Sequence, residues 1–185
     1  FDKEDIMYCN TAYGDYPTYI PEFAQGKDFS RGLFSGWMLL NYNKPVQVSS
    51  TLGGYQPNFA VDEDIKTYWS AKTGDKGEWF QTDLGEISTI NAIQINYADQ
   101  DVEFMGKTLD KFHQYKIYGS NDGQKWKVIV DKSQNKKDVP HDYIEFEKPV
   151  KARFLKMENL KMPTGKFALS GFRVFGKGAG KVPEK

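Results

Sequence analysis

The sequence is poor in cysteine and histidine, and this limits the enzyme classes to which it can belong. Its 185 residues include one cysteine, Cys9, and two histidines, His113 and His141. A single cysteine cannot form a disulfide within the chain. A catalytic thiol needs a neighbouring base, and neither histidine lies near Cys9 in the sequence. We therefore expect Cys9 to be a buried small residue, not a nucleophile.

An excess of one charge and a long apolar run are missing as well. Lys+Arg and Asp+Glu both number 25, so the formal net charge is zero. Nucleic acids and anionic membranes usually need a basic excess in their partners, so we expect neither as a ligand. The lysine-rich stretches Lys132–Lys137 and Lys177–Lys185 are typical of a solvated loop and tail. No apolar run approaches the roughly 20 residues needed to span a bilayer.

Helical periodicity is nearly absent, and short β-branched and aromatic runs alternate with turn residues instead. This pattern is typical of an all-β sandwich. Asp122-Gly123, between two such runs, predicts a hairpin because glycine adopts a positive φ at little cost. The predicted strands, about eight that pack as two sheets, are Val46–Ser50, Trp79–Leu84, Thr89–Tyr97, Tyr115–Ser120, Trp126–Asp131, Tyr143–Phe146, Arg153–Glu158 and Phe167–Phe175.

The chain divides into three parts by composition. Residues 1–36 are aromatic with many turn breakers and predict an irregular extension that packs on something. Residues 37–178 carry the strands, and residues 179–185 form a polar tail. Because the chain begins at Phe1 and not at Met, we expect further residues to precede it, and the lack of a signal peptide carries no conclusion.

Five sequence blocks stand out in the strand-rich part of the chain: Ser49–Ser70, Glu78–Gly85, Tyr115–Trp126, Ala152–Lys156 and Phe172–Gly176. The first holds the pattern Ala-x-Asp-x-Asp-x-x-Thr-x-Trp, and the second holds Trp-x-x-x-Asp-Leu-Gly. In this order the blocks resemble the discoidin or coagulation factor 5/8 type C family, which includes carbohydrate-binding module family 32. The resemblance covers about residues 38–178 and implies a galactose-binding-domain-like jelly-roll β-sandwich.

The turn after Ala60 concentrates oxygen donors, as a hard cation such as Ca²⁺ requires. The resemblance implies a structural calcium ion there. In the family pattern a glutamate closes the site, but the matching position here is Gly171, which removes one charged ligand. The alternative is that the acidic side chains only cap the turn through hydrogen bonds. The implied ligands are Phe59, Asp62, Asp64, Thr67 and Ser170.

The resemblance also implies that a sugar is bound by loops at one end of the sandwich. A sugar presents an apolar C–H face to an aromatic ring and hydroxyls to planar polar groups. Each candidate can also be an ordinary loop residue. Trp69, Trp79 and Trp126 fall in strand blocks, so we expect them in the core. The candidate sugar contacts are Tyr55 and Phe104 as stacking rings, with Lys72, Asp99, Gln100, Asp101 and His113 as polar partners.

Galactose-binding relatives often carry a histidine after the Thr-x-Trp element and an arginine after the next long strand. Here these places hold Ser70-Ala71 and Ala98-Asp99-Gln100, so galactose itself is disfavoured. The segment Ala98–Phe112 is long for a connection between strands, and long loops often carry binding function. A different sugar, or none, stays open.

Residues Met7–Pro17 resemble the end of a five-bladed propeller in glycoside hydrolase family 43-like proteins. We therefore expect a non-catalytic module that targets an upstream bacterial glycoside hydrolase to polysaccharide in the periplasm, at the cell surface or outside the cell. No carboxylate pair in this chain can be assigned as acid and base. The alternatives are a structural spacer that braces the catalytic domain and a discoidin-type adhesion module.

Overall fold

The computed structural model describes residues 37–103 and 111–177. The predicted N-terminal extension, the loop residue Phe104 and the polar tail lie outside this part of the chain. The predictions made for these three regions therefore stay predictions.

The described residues form eight β-strands and almost no helix, so the prediction of an all-β fold is confirmed. Two pairs of predicted strands prove to be continuous: one strand, Trp79–Tyr97, joins the second and third predicted strands, and another, His141–Lys161, joins the sixth and seventh. A short 3₁₀ turn covers Pro57–Ala60. The strands are β1 (Met38–Leu39), β2 (Val46–Val48), β3 (Trp69–Ser70), β4 (Trp79–Tyr97), β5 (Gln114–Ser120), β6 (Lys127–Asp131), β7 (His141–Lys161) and β8 (Ala168–Lys177).

All pairings are antiparallel and join the eight strands in one continuous sheet, where the sequence predicts two. The order is β1-β8-β4-β7-β5-β6, with β2 added to β4 and β3 added to β8. The first part of β4 pairs with β2 on one side, whereas its second part pairs with β8. Between the two parts the register shifts, from Asp83 to Ser88, and Gly85 has a φ of +87°. A bulged strand bends, and β4 therefore belongs to both layers of the sandwich.

The core lies between these two layers and is dominated by aromatic rings. Phe80, in the first part of β4, contacts Phe172 of β8 with ring centroids 5.5 Å apart. Trp69 lies 5.3 Å from Phe80 and meets Phe167 edge-on at the same distance. All four side chains are fully buried. Burial of such rings is the main stabilising contribution in a fold that has almost no helix.

The prediction that three tryptophans lie in the core is correct for Trp69 and wrong for the other two. Trp79 is half-buried because side chains alternate along β4, and Phe80 takes the inward position beside it. Trp126 lies just before β6 and is half-buried as well, with the Lys156 Nζ 4.5 Å from its ring centroid. Both rings therefore pack at the surface.

The predicted hairpin joins β5 and β6, and it is confirmed. Gly123 has a φ of +73°, and the Asp122 carboxylate accepts hydrogen bonds from the backbone N–H groups of Gln124 and Lys125, both at 2.8 Å. These bonds are typical of an aspartate that closes a turn. No helix in the described residues is long and apolar enough to cross a membrane.

Candidate functional site

Four connections meet at one end of the sandwich, which we call the loop end: residues 53–58, 70–77, 98–103 and 161–166. Backbone hydrogen bonds join three of them. The Lys166 N–H donates to the Gln100 carbonyl at 2.9 Å, and the Phe167 N–H donates to the Thr73 carbonyl at 3.0 Å. The second and fourth connections are also joined where the Ala71 N–H donates to the Phe167 carbonyl at 2.8 Å. These three connections therefore form one continuous surface joined by backbone hydrogen bonds.

Two glycines allow this close approach of backbones. A Cβ atom on Gly165, whose φ is +72°, would lie 2.5 Å from the carbonyl oxygen of Gln100. A Cβ atom on Gly74 would collide with the carbonyl of Gly165 itself. Real Cβ atoms do not make such contacts, so these positions require glycine. The backbone of the loop end is consequently fixed by packing.

A continuous set of contacts runs across the loop end, which we call the polar chain: Tyr55, Tyr68, Gln100, Asp101 and Lys166. The rings of Tyr55 and Tyr68 lie 4.7 Å apart. The Tyr68 hydroxyl donates to Gln100 Oε1 at 2.7 Å, and Gln100 Nε2 donates to Asp101 Oδ1 at 2.7 Å. Asp101 then forms an ion pair with Lys166. Because each partner fixes the next, the Gln100 amide has one orientation.

The charge states within the polar chain follow from these contacts. Burial raises the pKa of Tyr68 to about 12, and the neighbouring Tyr55 and the charge of Asp101 add to this effect. The Lys166 ammonium lowers the pKa of Asp101, and Gln100 contributes in the same direction. At neutral pH the polar chain therefore presents the neutral phenol of Tyr68 and the ionised carboxylate of Asp101. Both groups are suited to hydrogen bonding with sugar hydroxyls.

The structure brings three of the predicted sugar contacts together: Tyr55, Gln100 and Asp101 all belong to the polar chain. Lys72 and Asp99 lie on the same loops with exposed side chains. Phe104 is outside the described residues. Gln100 is only 9% exposed, so its amide positions its neighbours at least as much as it faces solvent.

His113 differs from the other candidates because it is buried. Its side chain is 8% exposed and stacks on Tyr97, with ring centroids 3.7 Å apart and the planes inclined by 17°. Burial lowers the pKa of His113 to about 4, against the opposing charges of Asp138 and Asp99. The ring is therefore a neutral packing element of the sandwich and does not face solvent.

The sequence predictions missed two members of the polar chain, Tyr68 and Lys166. Tyr68 lies immediately before β3 and is half-buried beside the fully buried Trp69, so the available signal is an aromatic residue with a polar tip at a strand end. No local pattern identifies Lys166, because its role depends on the distant Asp101.

A second polar cluster, also missed, surrounds the Glu78 carboxylate next to the loop end. The Ser50 hydroxyl donates to Glu78 Oε1 at 2.8 Å, and the Thr73 hydroxyl donates to the same oxygen at 2.9 Å. Ser49 contacts the other oxygen. Three hydroxyl groups thus contact the Glu78 carboxylate and tie the connection 70–77 to the end of β2.

The turn with the expected calcium ligands is closed by its own hydrogen bonds. Asp62 Oδ1 accepts from the Asp64 N–H at 2.9 Å, and Asp62 Oδ2 accepts from the Thr67 hydroxyl at 2.8 Å. The Ser170 hydroxyl donates to the Asn96 carbonyl at 3.4 Å. Among the described residues, no group of three or more His, Cys, Asp and Glu side chains could hold a metal ion. The acidic side chains therefore cap the turn, and the expected calcium ion stays a prediction.

A cleft of about 280 Å³ lies at the opposite end of β5. It is therefore separate from the loop end, where β5 begins. Its lining residues are Gly119, Ser120, Asn121, Asp122, Lys125, Lys127, Ile129, Val150 and Lys151.

Comparison with known proteins gives one family. The sequence profile described as the F5/8 type C domain matches residues 45–171. A polysaccharide lyase 8 family protein, HylA of Enterococcus faecalis (strain ATCC 700802 / V583), is 32% identical over 105 residues. That match covers 56% of this chain but only 7% of the length of the lyase.

Solved structures show the same fold at low sequence identity. Chitosan-binding module 2 of a chitosanase/glucanase from Paenibacillus sp. IK-5, in complex with chitotriose, is 24% identical, with a TM-score of 0.61 and coverage of 74% of this chain and 99% of the module. The family 32 carbohydrate-binding module of Clostridium perfringens NanJ, in complex with galactose, is 18% identical, with a TM-score of 0.57 and coverage of 72% and 93%.

Proposed function

We propose, because this chain belongs to the F5/8 type C domain family, that its sandwich is a non-catalytic carbohydrate-binding module and that the loop end contacts the sugar. The similar structures are carbohydrate-binding modules, two of them bound to chitotriose and galactose. The family and the fold support the general role. The residues assigned to it below are our proposal.

The polar chain is the observation that carries this assignment. Tyr55 and Tyr68 place two half-buried rings side by side, next to a fixed amide and a fixed carboxylate. A sugar needs an aromatic surface for its C–H face and planar polar groups for its hydroxyls. Because the backbone below is already packed, little ordering of the loops would accompany binding, and less affinity would be lost to it.

The module would act by targeting. A single site of this kind binds in the millimolar to micromolar range, on the order of −4 to −8 kcal/mol. Tethering raises the local concentration of an attached catalytic domain at the polysaccharide, so that a weak site is still effective. We propose an upstream glycoside hydrolase as that domain and a periplasmic, cell-surface or secreted location. The chitosan-binding module above derives from a chitosanase/glucanase, which is consistent with this arrangement.

Binding to a glycan array, followed by calorimetry on each positive glycan, tests the proposal. The stacking variants Tyr55→Ala and Phe104→Ala should each weaken binding by about fivefold, since an aromatic contact contributes about 1 kcal/mol. The double variant Lys127→Ala/Lys151→Ala changes only the cleft at the opposite end and serves as the matched control. Equal affinity in both stacking variants would exclude the loop end, and loss of binding in the control would assign the sugar to the cleft.

A blank array would favour the structural spacer, in which the sandwich only braces the catalytic domain. Sedimentation with liposomes tests the adhesion alternative. An assay of this chain on aryl glycosides should show no turnover, and measurable hydrolysis would contradict a non-catalytic module.

A further inference from the structure

A salt bridge joins the acidic turn to β8 beside the place where the family resemblance puts calcium. Arg173 Nε lies 2.7 Å from Glu63 Oε1 and 2.9 Å from Glu63 Oε2. The two side chains are 16% and 32% exposed, respectively. Glu63 belongs to the turn between Asp62 and Thr67, and Arg173 lies opposite Gln94 in the β8–β4 ladder. The contact therefore ties a loop to the sheet.

The missing side chain at Gly171 makes room for this arginine. A Cβ atom on Gly171 would lie 2.7 Å from Arg173 Nη1 and 3.1 Å from its Cζ. The guanidinium thus fills the space that a side chain at residue 171, such as the expected glutamate, would need. Relative to the family pattern, glycine at residue 171 removes a negatively charged ligand and leaves room for the Arg173 guanidinium. The positive charge of that group is permanent because arginine is not deprotonated in proteins.

The backbone of the turn also indicates that this contact is specific. Glu63 has a φ of +61°, in the left-handed region that residues with a side chain rarely adopt. Such a conformation persists only where surrounding interactions hold it. The Nε–H group of Arg173 contacts both carboxylate oxygens of Glu63 and can provide that interaction.

The oxygen atoms of the turn that could bind a cation already accept hydrogen bonds within the turn. Both carboxylate oxygens of Asp62 accept hydrogen bonds from within the turn, as does the carbonyl of Asp64, from the Thr67 N–H at 3.2 Å. The residues present therefore do not fit a calcium site: one acidic ligand is absent, the others serve the turn, and a guanidinium stands alongside.

We infer that the Arg173–Glu63 pair replaces a structural calcium ion in this protein. The pair holds the turn Asp62–Thr67 against β8, which is the role that a bound cation would have there. The sandwich consequently folds, and keeps its loops in place, at the same stability with or without calcium.

Thermal unfolding tests this inference in three parts. The first compares the Tm of the wild-type chain in EDTA and in about 5 mM CaCl₂, which exceeds the roughly 10⁻⁴–10⁻³ M affinity of weak extracellular calcium sites. We expect the same Tm in both. A rise of several degrees with calcium, absent with magnesium, would overturn the inference.

The second part removes the pair. Arg173→Ala and Glu63→Gln should each lower the Tm by about 3–6 °C, whereas Lys116→Ala, which removes the exposed pair between Lys116 and Asp131 at 3.1 Å, should leave it nearly unchanged. If Arg173→Ala and Glu63→Gln both unfold at the wild-type Tm, the pair does not hold the turn.

The double variant Gly171→Glu/Arg173→Ser restores the family's carboxylate and removes the guanidinium. Its Tm should rise when calcium is added, while that of Arg173→Ser alone should not. A double variant that stays indifferent to calcium would contradict an exchange between arginine and metal at this turn.

Discussion

Acidification should destabilise this fold through one residue, His113, before most carboxylates protonate. Burial lowers the pKa of His113 from 6.5 to about 4, so between these values the unfolded chain binds a proton that the folded chain does not. The free energy of unfolding therefore falls as the pH drops below about 6.5. The part of it that depends on His113 is fully lost below about pH 4. A shift of this size corresponds to about 3 kcal/mol, of which about 2 kcal/mol is lost between pH 7 and pH 4.5.

Urea unfolding at about pH 7 and pH 4.5 measures this loss directly. The matched control is His113→Gln, which keeps a polar side chain but cannot take up a proton; its stability should change much less over the same interval. Comparing the two proteins cancels the aspartates whose pKa values are also lowered, such as Asp83 and Asp101. If wild type and variant lose the same free energy of unfolding, the buried imidazole is not the cause and the reasoning fails.

Two further predictions concern packing. Trp69→Ala should lower the free energy of unfolding by about 3–5 kcal/mol because it opens a cavity in the core. Trp79→Ala should lower it by only about 1–2 kcal/mol because that ring is half-buried. Equal losses in urea unfolding would contradict the placement of Trp69 in the core and Trp79 at the surface. Gly165→Ala should lower the free energy of unfolding by about 1–3 kcal/mol because its Cβ would press on the Gln100 carbonyl, and calorimetry should show weaker sugar binding as well; a fully stable Gly165→Ala would mean that the two loops can separate freely.

Much of the fold follows from the sequence because strand alternation is a local property. The runs around Phe80, Ile93, Ile117 and Leu155 alternate as predicted, and all four side chains are buried. The errors also have local causes. Gly85 ends a predicted strand, yet here its positive φ bends β4 without ending it. Trp79 is expected in the core because it falls in a strand block, although its neighbour Phe80 occupies the inward position.

The candidate site was less predictable because its contacts join residues far apart in the chain. The loops could be chosen from the family resemblance, and Tyr55, Gln100 and Asp101 do lie together. Tyr68 and Lys166 reach them only through the folded arrangement of three connections. The burial of His113 depends in the same way on its stacking against Tyr97. Such pairings leave no periodic trace in a single sequence.

The two long strands have a consequence for how the molecule comes apart. Since β4 and β7 each run through both layers, neither layer can detach while the other keeps its hydrogen-bonded neighbours. Opening should therefore be all-or-none, with amide hydrogens on both sides of the core exchanging at a common, slow rate.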